Sequence, residues 1–157
     1  MATIETAHVT DAEEILRLQR LAYRSEADLY NDDTIPPLTQ TLEELQSQFA
    51  DHTFLKAVSD GVIVGSVRAR THGDTCRIAR LIVHPDHQRQ GIGSRLMAEI
   101  ESRCPAPRYQ LFTGTRSDAN LRLYRKLGYR PFRTEVLNDN VTLVYMGKPG
   151  PRRNPGT

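Results

Sequence analysis

The sequence has no apolar run that approaches the roughly 20 residues needed to cross a bilayer, and its first residues, MATIETAHVTDAEE, lack a basic region followed by an apolar one. It also has little excess charge, because 21 Lys and Arg against 19 Asp and Glu give a formal net charge of +2. Since basic and acidic residues are interspersed, we expect neither a nucleic-acid partner nor a membrane partner. We therefore expect a cytoplasmic protein.

Cysteine is scarce. The two cysteines, Cys76 and Cys104, lie outside any CxxC or Cys/His cluster, and we expect both to be small buried apolar residues. His84 and His87 flank Asp86 in a predicted turn, but no third ligand follows at a spacing typical of metal sites. The sequence therefore predicts no metal centre.

The composition is that of an ordinary globular domain, with 38% hydrophobic and 25% charged residues. A chain of 157 residues is long enough to bury about two thirds of its unfolded surface in one domain, and no repeat or linker divides it. We expect residues 1–148 to form a single domain. Residues 149–157, which offer no apolar side chain to bury, are expected to form a flexible C-terminal tail.

The most informative stretch is ARLIVHPDHQRQGIGSRLMAEIESR, residues 79–103. An apolar run rich in β-branched residues ends at Pro85 and predicts a buried strand over about residues 77–83. After a turn and a glycine-containing loop, apolar residues recur at every fourth position and predict the buried face of a helix. The residues on that face are Ile92, Leu96, Ile100 and Cys104.

The glycine-containing loop leads directly into the helix, whose first N–H groups have no intrahelical partner and whose dipole favours an anion. Gly91 and Gly93 lack the Cβ atoms that would keep a phosphate away, while Arg89 and Arg95 add positive charge. A simple strand-to-helix turn is the alternative. Glycine in a helix costs about 1 kcal/mol relative to alanine, so two glycines at this helix start favour anion binding.

The full pattern, V-x-P-x-x-Q-R-x-G-x-G, resembles motif A of the GNAT acetyltransferase superfamily, in which Q/R-x-x-G-x-G/A binds the pyrophosphate of acetyl-CoA. The residues in register with it are Val83, Pro85, Gln88, Arg89, Gly91 and Gly93. The pattern lacks the Gly-Lys-Ser/Thr of a P-loop and the third glycine of a dinucleotide-binding loop. The resemblance implies that acetyl-CoA is the acyl donor, bound at this point by Gln88, Arg89, Gln90, Gly91, Ile92, Gly93 and Ser94.

Periodicity along the rest of the chain gives the order β-α-α-β-β-β-α-β-α-β-β, which is the order of the GNAT fold, an α/β (α+β) architecture with a mixed central sheet. Capping boxes at Thr10 with Glu13 and at Thr41 with Glu44 are predicted to start the first two helices. The predicted strands cover residues 3–9, 54–59, 62–70, 77–83, 109–114, 129–137 and 141–148. The predicted helices start near residues 10, 41, 92 and 117, and the first is expected to fade over residues 25–30.

The helix between the fourth and fifth strands indicates that these two strands run parallel. The resemblance implies that they then splay apart and that the pantetheine arm of acetyl-CoA lies in the gap. The backbone atoms that it would contact belong to Leu81, Ile82 and Val83.

A second motif, NLRLYRKLGY at residues 120–129, resembles GNAT motif B. The resemblance implies that Asn120 contacts the pantetheine region and that the Tyr124 hydroxyl lies beside the sulfur. A tyrosine with a pKa near 10 is suited to protonating a departing thiolate, so we predict Tyr124 to be the general acid. Packing between Leu121 and Leu127 is the alternative role for this side chain.

The identity of the general base stays open, because the fourth strand carries Arg77 and Arg80 and no carboxylate, unlike the corresponding strand of many family members. The carboxylates between the first two helices are substitutes by location, and together they indicate a cationic acceptor. They are Glu26, Asp28, Asp32 and Asp33, and the nearby aromatic and proline residues that could form a pocket wall are Tyr23, Tyr30, Ile35, Pro36 and Pro37. We predict acceptor contacts from Glu26, Tyr30 and Thr113.

The sequence therefore predicts an N-acetyltransferase that moves an acetyl group from acetyl-CoA to a primary amine of a small molecule or peptide, by direct attack in a ternary complex. The missing strand-four carboxylate keeps open an acyl-CoA sensor without turnover. Transfer of a larger acyl group, or transfer to a protein N-terminus, is a further alternative. Both a monomer and a homodimer formed through the late strands are compatible with the sequence.

Overall fold

A computed structural model describes residues 2–151, which form one seven-stranded sheet in the order β1-β2-β3-β4-β5-β7-β6. The strands are β1 (Thr3–Thr6), β2 (Thr53–Ser59), β3 (Val62–His72), β4 (Thr75–Val83), β5 (Arg108–Gly114), β6 (Arg130–Val136) and β7 (Thr142–Pro149). The helices are α1 (Ala12–Tyr30), α2 (Pro36–Thr39), α3 (Leu42–Gln48), α4 (Ile92–Arg103) and α5 (Asp118–Lys126). The predicted mixed sheet and element order are confirmed, with the short α2 added inside a predicted loop.

The sheet opens between β4 and β5, as predicted. These parallel strands pair only over residues 75–77 and 108–110, whereas β5 pairs with β7 along its whole length. A β-bulge helps to turn β4 away from β5. The β3–β4 register shifts between Ser66 and Arg68, and Arg80 adopts a left-handed φ of 54° opposite that point. The edge of β4 beyond Arg77 is therefore left without a partner strand on the β5 side.

The start of α1 differs from the prediction. β1 ends at Thr6, and a 3-10 turn over Val9–Asp11 precedes the helix. The His8 N–H donates to Asp11 Oδ2 at 2.9 Å, so the first turn is closed there and the predicted Thr10–Glu13 capping box is wrong.

α1 also runs further than predicted, to Tyr30, and ends at Asn31 in the left-handed conformation that commonly terminates helices. The predicted capping box at the start of α3 is confirmed. Thr41 Oγ1 accepts a hydrogen bond from the Glu44 N–H, and Glu44 Oε1 accepts one from the Thr41 N–H, each at 3.2 Å. α2 begins where Pro36 and Pro37 occupy the first helical positions, which suit proline.

The helices pack on the sheet through separate buried clusters. Ile92, Leu96 and Ile100 of α4 are buried against β2, β3 and β4, as the four-residue period predicts. Ile15 of α1 and Leu45 of α3 belong to a second cluster. The core therefore fixes α1 and α4 against the same strand, β4, that the gap borders.

The cysteines are neighbours in space, because β4 starts beside the end of α4. Cys76 is fully buried, as predicted, whereas Cys104 is only half-buried and its thiol contacts that of Cys76.

At the C-terminus, β7 extends to Pro149, and the Gly150 N–H donates to the Pro107 carbonyl at 2.8 Å. The first residues of the predicted tail are therefore held against the sheet. Residues 152–157 of that tail lie outside the described range, and the single-domain boundary stays a prediction. No helix within residues 2–151 carries an apolar stretch long enough to span a bilayer. Over the same residues, no three His, Cys, Asp or Glu side chains gather as metal ligands would.

Candidate functional site

The loop before α4 has an unusual backbone. Arg89 and Gly91 both adopt left-handed conformations, with φ of 63° and 79°. Gly91 is the residue that starts α4, and its carbonyl accepts the first helical hydrogen bond, from the Arg95 N–H at 3.0 Å. The N–H groups of Ile92, Gly93 and Ser94 therefore precede the helical hydrogen-bond ladder, which leaves them available to an anion.

These N–H groups border a cavity of about 570 Å³, which we call the loop cavity. It runs from the α4 start along β4 to the first turn of α5. Ten of the twelve residues predicted to bind acetyl-CoA line it: Leu81, Ile82, Val83, Gln88, Arg89, Gly91, Ile92, Gly93, Ser94 and Asn120. Of the other two, Gln90 lines neither this cavity nor the one described next, and Tyr124 lines only the next.

Gly93 is not required by the packing of the protein itself. A Cβ atom built there would meet Leu123, Leu81 and Val83 at 3.6 to 3.9 Å, which is ordinary contact. Since glycine weakens a helix, the absence of a side chain at this position serves the space of the loop cavity rather than the fold.

The charged residues of the loop cavity differ in part from those predicted. Arg89 lines it, but Arg95, an exposed residue of α4, does not. Arg122 of α5 lines it and was missed. The helical spacing of three and four residues from Ala119 to Arg122 and Leu123 would have identified this face of α5.

A second cavity of about 210 Å³, the inner cavity, lies in the gap between β4 and β5. Glu26, Tyr30, Thr113 and Tyr124, predicted from widely separated parts of the sequence, all line it. The loop cavity and the inner cavity share four residues, Tyr23, Glu26, Leu81 and Asn120. The two spaces therefore adjoin at the point where β4 leaves β5.

Tyr124 is both a packing residue and a wall of the inner cavity. Its side chain is 6% exposed, and its ring lies edge-on to that of Tyr129 with centroids 6.0 Å apart. Burial raises the pKa of Tyr124 well above the usual value of 10.0, and the nearby Tyr23 and Glu26 raise it further. The phenol is therefore protonated at neutral pH, as a general acid must be.

A directed chain of hydrogen bonds closes one side of the inner cavity. The Ser117 hydroxyl donates to Glu26 Oε2 at 2.7 Å, so Tyr30 must be the donor in its 2.8 Å bond to Ser117 Oγ. The Arg116 N–H in turn donates to the Tyr30 oxygen at 2.9 Å. The chain runs from a backbone amide through two hydroxyls to a carboxylate, with each member satisfied.

Ser117 was predicted only as a helix start, and its side chain makes no capping hydrogen bond. No local pattern could have assigned its contact with Glu26, because the two residues are 91 positions apart.

Three of the four candidate carboxylates lie outside both cavities. Asp28, Asp32 and Asp33 line neither, and Asp32 is bound to Thr34, whose hydrogen bonds lower the Asp32 pKa. Of the four carboxylates from which a cationic acceptor was predicted, Glu26 is therefore the one that borders a cavity, and the cationic acceptor stays a prediction.

Solved structures with the same fold cover almost the whole chain. The ribosomal-protein-S18-alanine N-acetyltransferase of Escherichia coli superposes with a TM-score of 0.82 at 16% identity, covering 100% of this chain and 99% of that one. The PaiA N-acetyltransferase of Thermoplasma acidophilum in complex with coenzyme A gives a TM-score of 0.79 at 18% identity, covering 95% and 99%.

Sequence relatives match over shorter stretches. The YqkA protein of Bacillus subtilis (strain 168) is 27% identical over 132 residues, which are 83% of this chain and 38% of YqkA. A protein of Yersinia pestis (strain Pestoides F) named acetyltransferase is 32% identical over 91 residues, 56% of this chain and 64% of that protein. The chain thus spans less than two thirds of either relative. A family model described as an acetyltransferase (GNAT) domain matches residues 26–149, most of the chain, and the protein therefore belongs to the GNAT acetyltransferase family.

Proposed function

We propose that this protein transfers an acetyl group from acetyl-CoA to the primary amine of a small acceptor by direct attack in a ternary complex. The observation that carries this proposal is the junction of two cavities at the β4–β5 gap, one bordered by the unpaired amides at the start of α4 and the other by Tyr124. The complex of a structural relative with coenzyme A supports acetyl-CoA as the donor.

The loop cavity suits the donor in three respects. Unpaired N–H groups and Arg89 complement a pyrophosphate, and Arg122 of α5 adds a second cation to the lining. The free edge of β4 offers backbone groups to the amides of the pantetheine arm. The N–H of Leu81 or Ile82 is then the donor that would stabilise negative charge on the thioester oxygen.

Glu26 and Tyr124 divide the proton transfers between them. The acceptor enters as an ammonium, since amines have a pKa near 10.4, and Glu26 takes one proton from it. The nitrogen then bonds to the thioester carbon, the C–S bond breaks, and Tyr124 donates its proton to the departing sulfur. The second proton lost by the nitrogen restores Tyr124, so the products are the acetamide, the CoA thiol and one released proton.

The size of the inner cavity supports a small acceptor and a short acyl group. At about 210 Å³ it falls below the usual range of about 300–1,000 Å³ for ligand pockets. The acceptor is cationic at its amino group in this proposal, but the carboxylate that supports this is Glu26 alone.

Two measurements test the function. Saturating CoA or acetyl-CoA at 100 times its dissociation constant should stabilise the protein by about 2.7 kcal/mol and raise its melting temperature. Thiol release from acetyl-CoA should then depend on added amine. A melting temperature unmoved by either compound would overturn donor binding, whereas strong stabilisation without thiol release from any amine would favour the acyl-CoA sensor.

A further inference from the structure

Among residues 2–151, two charged side chains line the inner cavity, Glu26 and Arg80. Glu26 is fixed by Ser117. Arg80 is different, because within residues 2–151 no carboxylate oxygen lies within 4.0 Å of its guanidinium. Its neighbour is the hydroxyl of Tyr23, a neutral group that also lines the cavity.

The backbone at Arg80 is held in a costly conformation. Its φ of 54° lies in the left-handed region, where a residue with a Cβ atom is strained. The bulge that imposes this conformation is the one that turns β4 away from β5. The same backbone feature therefore opens the gap and puts the Arg80 side chain in its wall.

A second arginine adds to the positive potential behind this wall. Arg68 is 2% exposed, and its guanidinium donates to the side-chain oxygens of Gln19 and Gln48, both neutral. Burial and the proximity of Arg80 lower the pKa of Arg68 to about 9, which still leaves it protonated at neutral pH. Among the described residues, neither arginine has an anionic partner, and the charge of the buried Arg68 is weakly screened.

Most of the remaining wall is apolar. Ile35, Pro36, Pro37, Leu137, Val141 and Leu143 line the side of the inner cavity formed by α2 and by the β6–β7 connection. The cavity therefore offers one carboxylate, one guanidinium that has no ion pair, and an apolar surface in a small volume.

We propose that Arg80 binds a carboxylate of the acceptor, which makes the acceptor a small amino acid with an apolar side chain. Its amino group meets Glu26, its carboxylate forms an ion pair with the Arg80 guanidinium beside Tyr23, and its side chain lies against the apolar wall. This inference rests on the proposed acetyl transfer, because it assigns the acceptor of that reaction.

The test compares matched acceptors: leucine, leucinamide, which keeps the amine and side chain but loses the negative charge, and isoamylamine, which loses the whole group. Thiol release from acetyl-CoA is measured for each. For the unmodified protein we expect kcat/KM for leucine to exceed that for the other two by about 100-fold, since a site built to bind a charged group rejects analogues that lack it.

Variants test whether Arg80 causes the preference for leucine. Arg80→Met should lower kcat/KM for leucine at least about tenfold, mainly through KM, while leaving leucinamide nearly unchanged, and Arg80→Lys should restore part of the preference. Arg77→Met is the matched control, because Arg77 is an exposed residue of the same strand that lines neither cavity. It should retain the full preference.

Two results would overturn the proposal. One is equal turnover of the three acceptors by the unmodified protein. The other is an equal loss of kcat/KM for all three acceptors in Arg80→Met, together with weaker CoA binding. That result would assign Arg80 to the binding of the donor.

Binding measurements distinguish a failure of the proposed Arg80 contact from a failure of the proposed acetyl transfer. In the presence of CoA, leucine should raise the melting temperature more than leucinamide does, and Arg80→Met should remove that difference even if no thiol is released. Equal shifts from leucine and leucinamide would contradict the proposal independently of turnover.

Discussion

Ser117 and Glu26, which are 91 positions apart in the sequence, are joined by a hydrogen bond of 2.7 Å between Oγ and Oε2. Ser117 lies at the start of α5 and Glu26 in the second half of α1, and Glu26 lines the inner cavity. With Tyr30 attached to the same hydroxyl, the bond ties together the two elements that carry the proposed acid and base. The bond therefore helps to hold Glu26 in place relative to α5, the helix that carries Tyr124.

Ser117→Ala should break this link. The buried Tyr30 hydroxyl loses its acceptor and Glu26 loses its donor, which should lower the free energy of unfolding by about 1–3 kcal/mol. Because Glu26 is then free to move, kcat/KM for the acceptor should fall about tenfold or more. Urea denaturation and steady-state thiol release measure the two effects. Ser47→Ala, at an exposed position of α3, is the control, and equal behaviour of both variants would show that the chain of hydrogen bonds has no functional role.

Tyr124→Phe should reduce kcat by about 100-fold or more, because the departing thiolate loses its proton donor. The affinity for CoA should change little, since Tyr124 lines the inner cavity and not the loop cavity. Tyr145→Phe removes the same oxygen from a residue that lines neither cavity and should match the unmodified protein. An unchanged kcat in Tyr124→Phe would leave packing as the role of this side chain.

Side chains added at Gly93 should weaken CoA binding in order of size. The structure has room for a Cβ atom among Leu123, Leu81 and Val83, so Gly93→Ala should fold stably and gain up to about 1 kcal/mol from better helix propensity. The γ-methyl groups of Gly93→Val project further into the loop cavity and should lower the affinity for CoA most. Calorimetric titration with CoA and thermal unfolding without it separate the two effects. Arg95→Ala serves as the control because Arg95 lies outside the cavity, and a similar loss of affinity there would contradict our assignment of the binding surface.

Alkaline pH should destabilise the protein through Tyr124 and Tyr129, which are buried, and Tyr23, which is partly buried. Burial is the largest cause that raises the pKa values of Tyr23, Tyr124 and Tyr129 above the ordinary value of 10.0. Above pH 10 the unfolded chain releases protons that the folded protein keeps, so the unfolded state binds fewer protons and stability falls by about 1.4 kcal/mol per pH unit for each group. Below pH 10 the effect is absent.

Urea denaturation across this range, with tyrosinate absorbance measured in parallel, checks the sign of the alkaline effect. Tyr124→Phe should show a shallower decline, because one of the three groups is removed. Tyrosinate absorbance that rises to its full extent while the protein remains folded would contradict the burial of these side chains.

Local hydrophobic patterns predict the central strand and the central helix of the fold. The β-branched run ending at Pro85 and the four-residue period from Ile92 to Ile100 specify the central strand and helix, because each pattern matches the periodicity of its own element. The capping box of Thr41 and Glu44 likewise depends on two residues only three positions apart. The Thr10 box failed for the same local reason, since a competing turn closed by His8 and Asp11 lies two residues earlier.

The order of helices and strands along the chain, the glycine-containing loop at Gly91 and ten of the residues that line the loop cavity could be predicted from the sequence, because they depend on neighbouring residues along one strand, one loop and one helix. Three contacts follow only from the folded chain: Glu26 is the carboxylate that borders the gap, Ser117 reaches Glu26, and Arg80 lines the inner cavity beside Tyr23. These contacts join residues far apart in the chain, and they exist only because a bulge in β4 opens the sheet where α1 and α5 meet it.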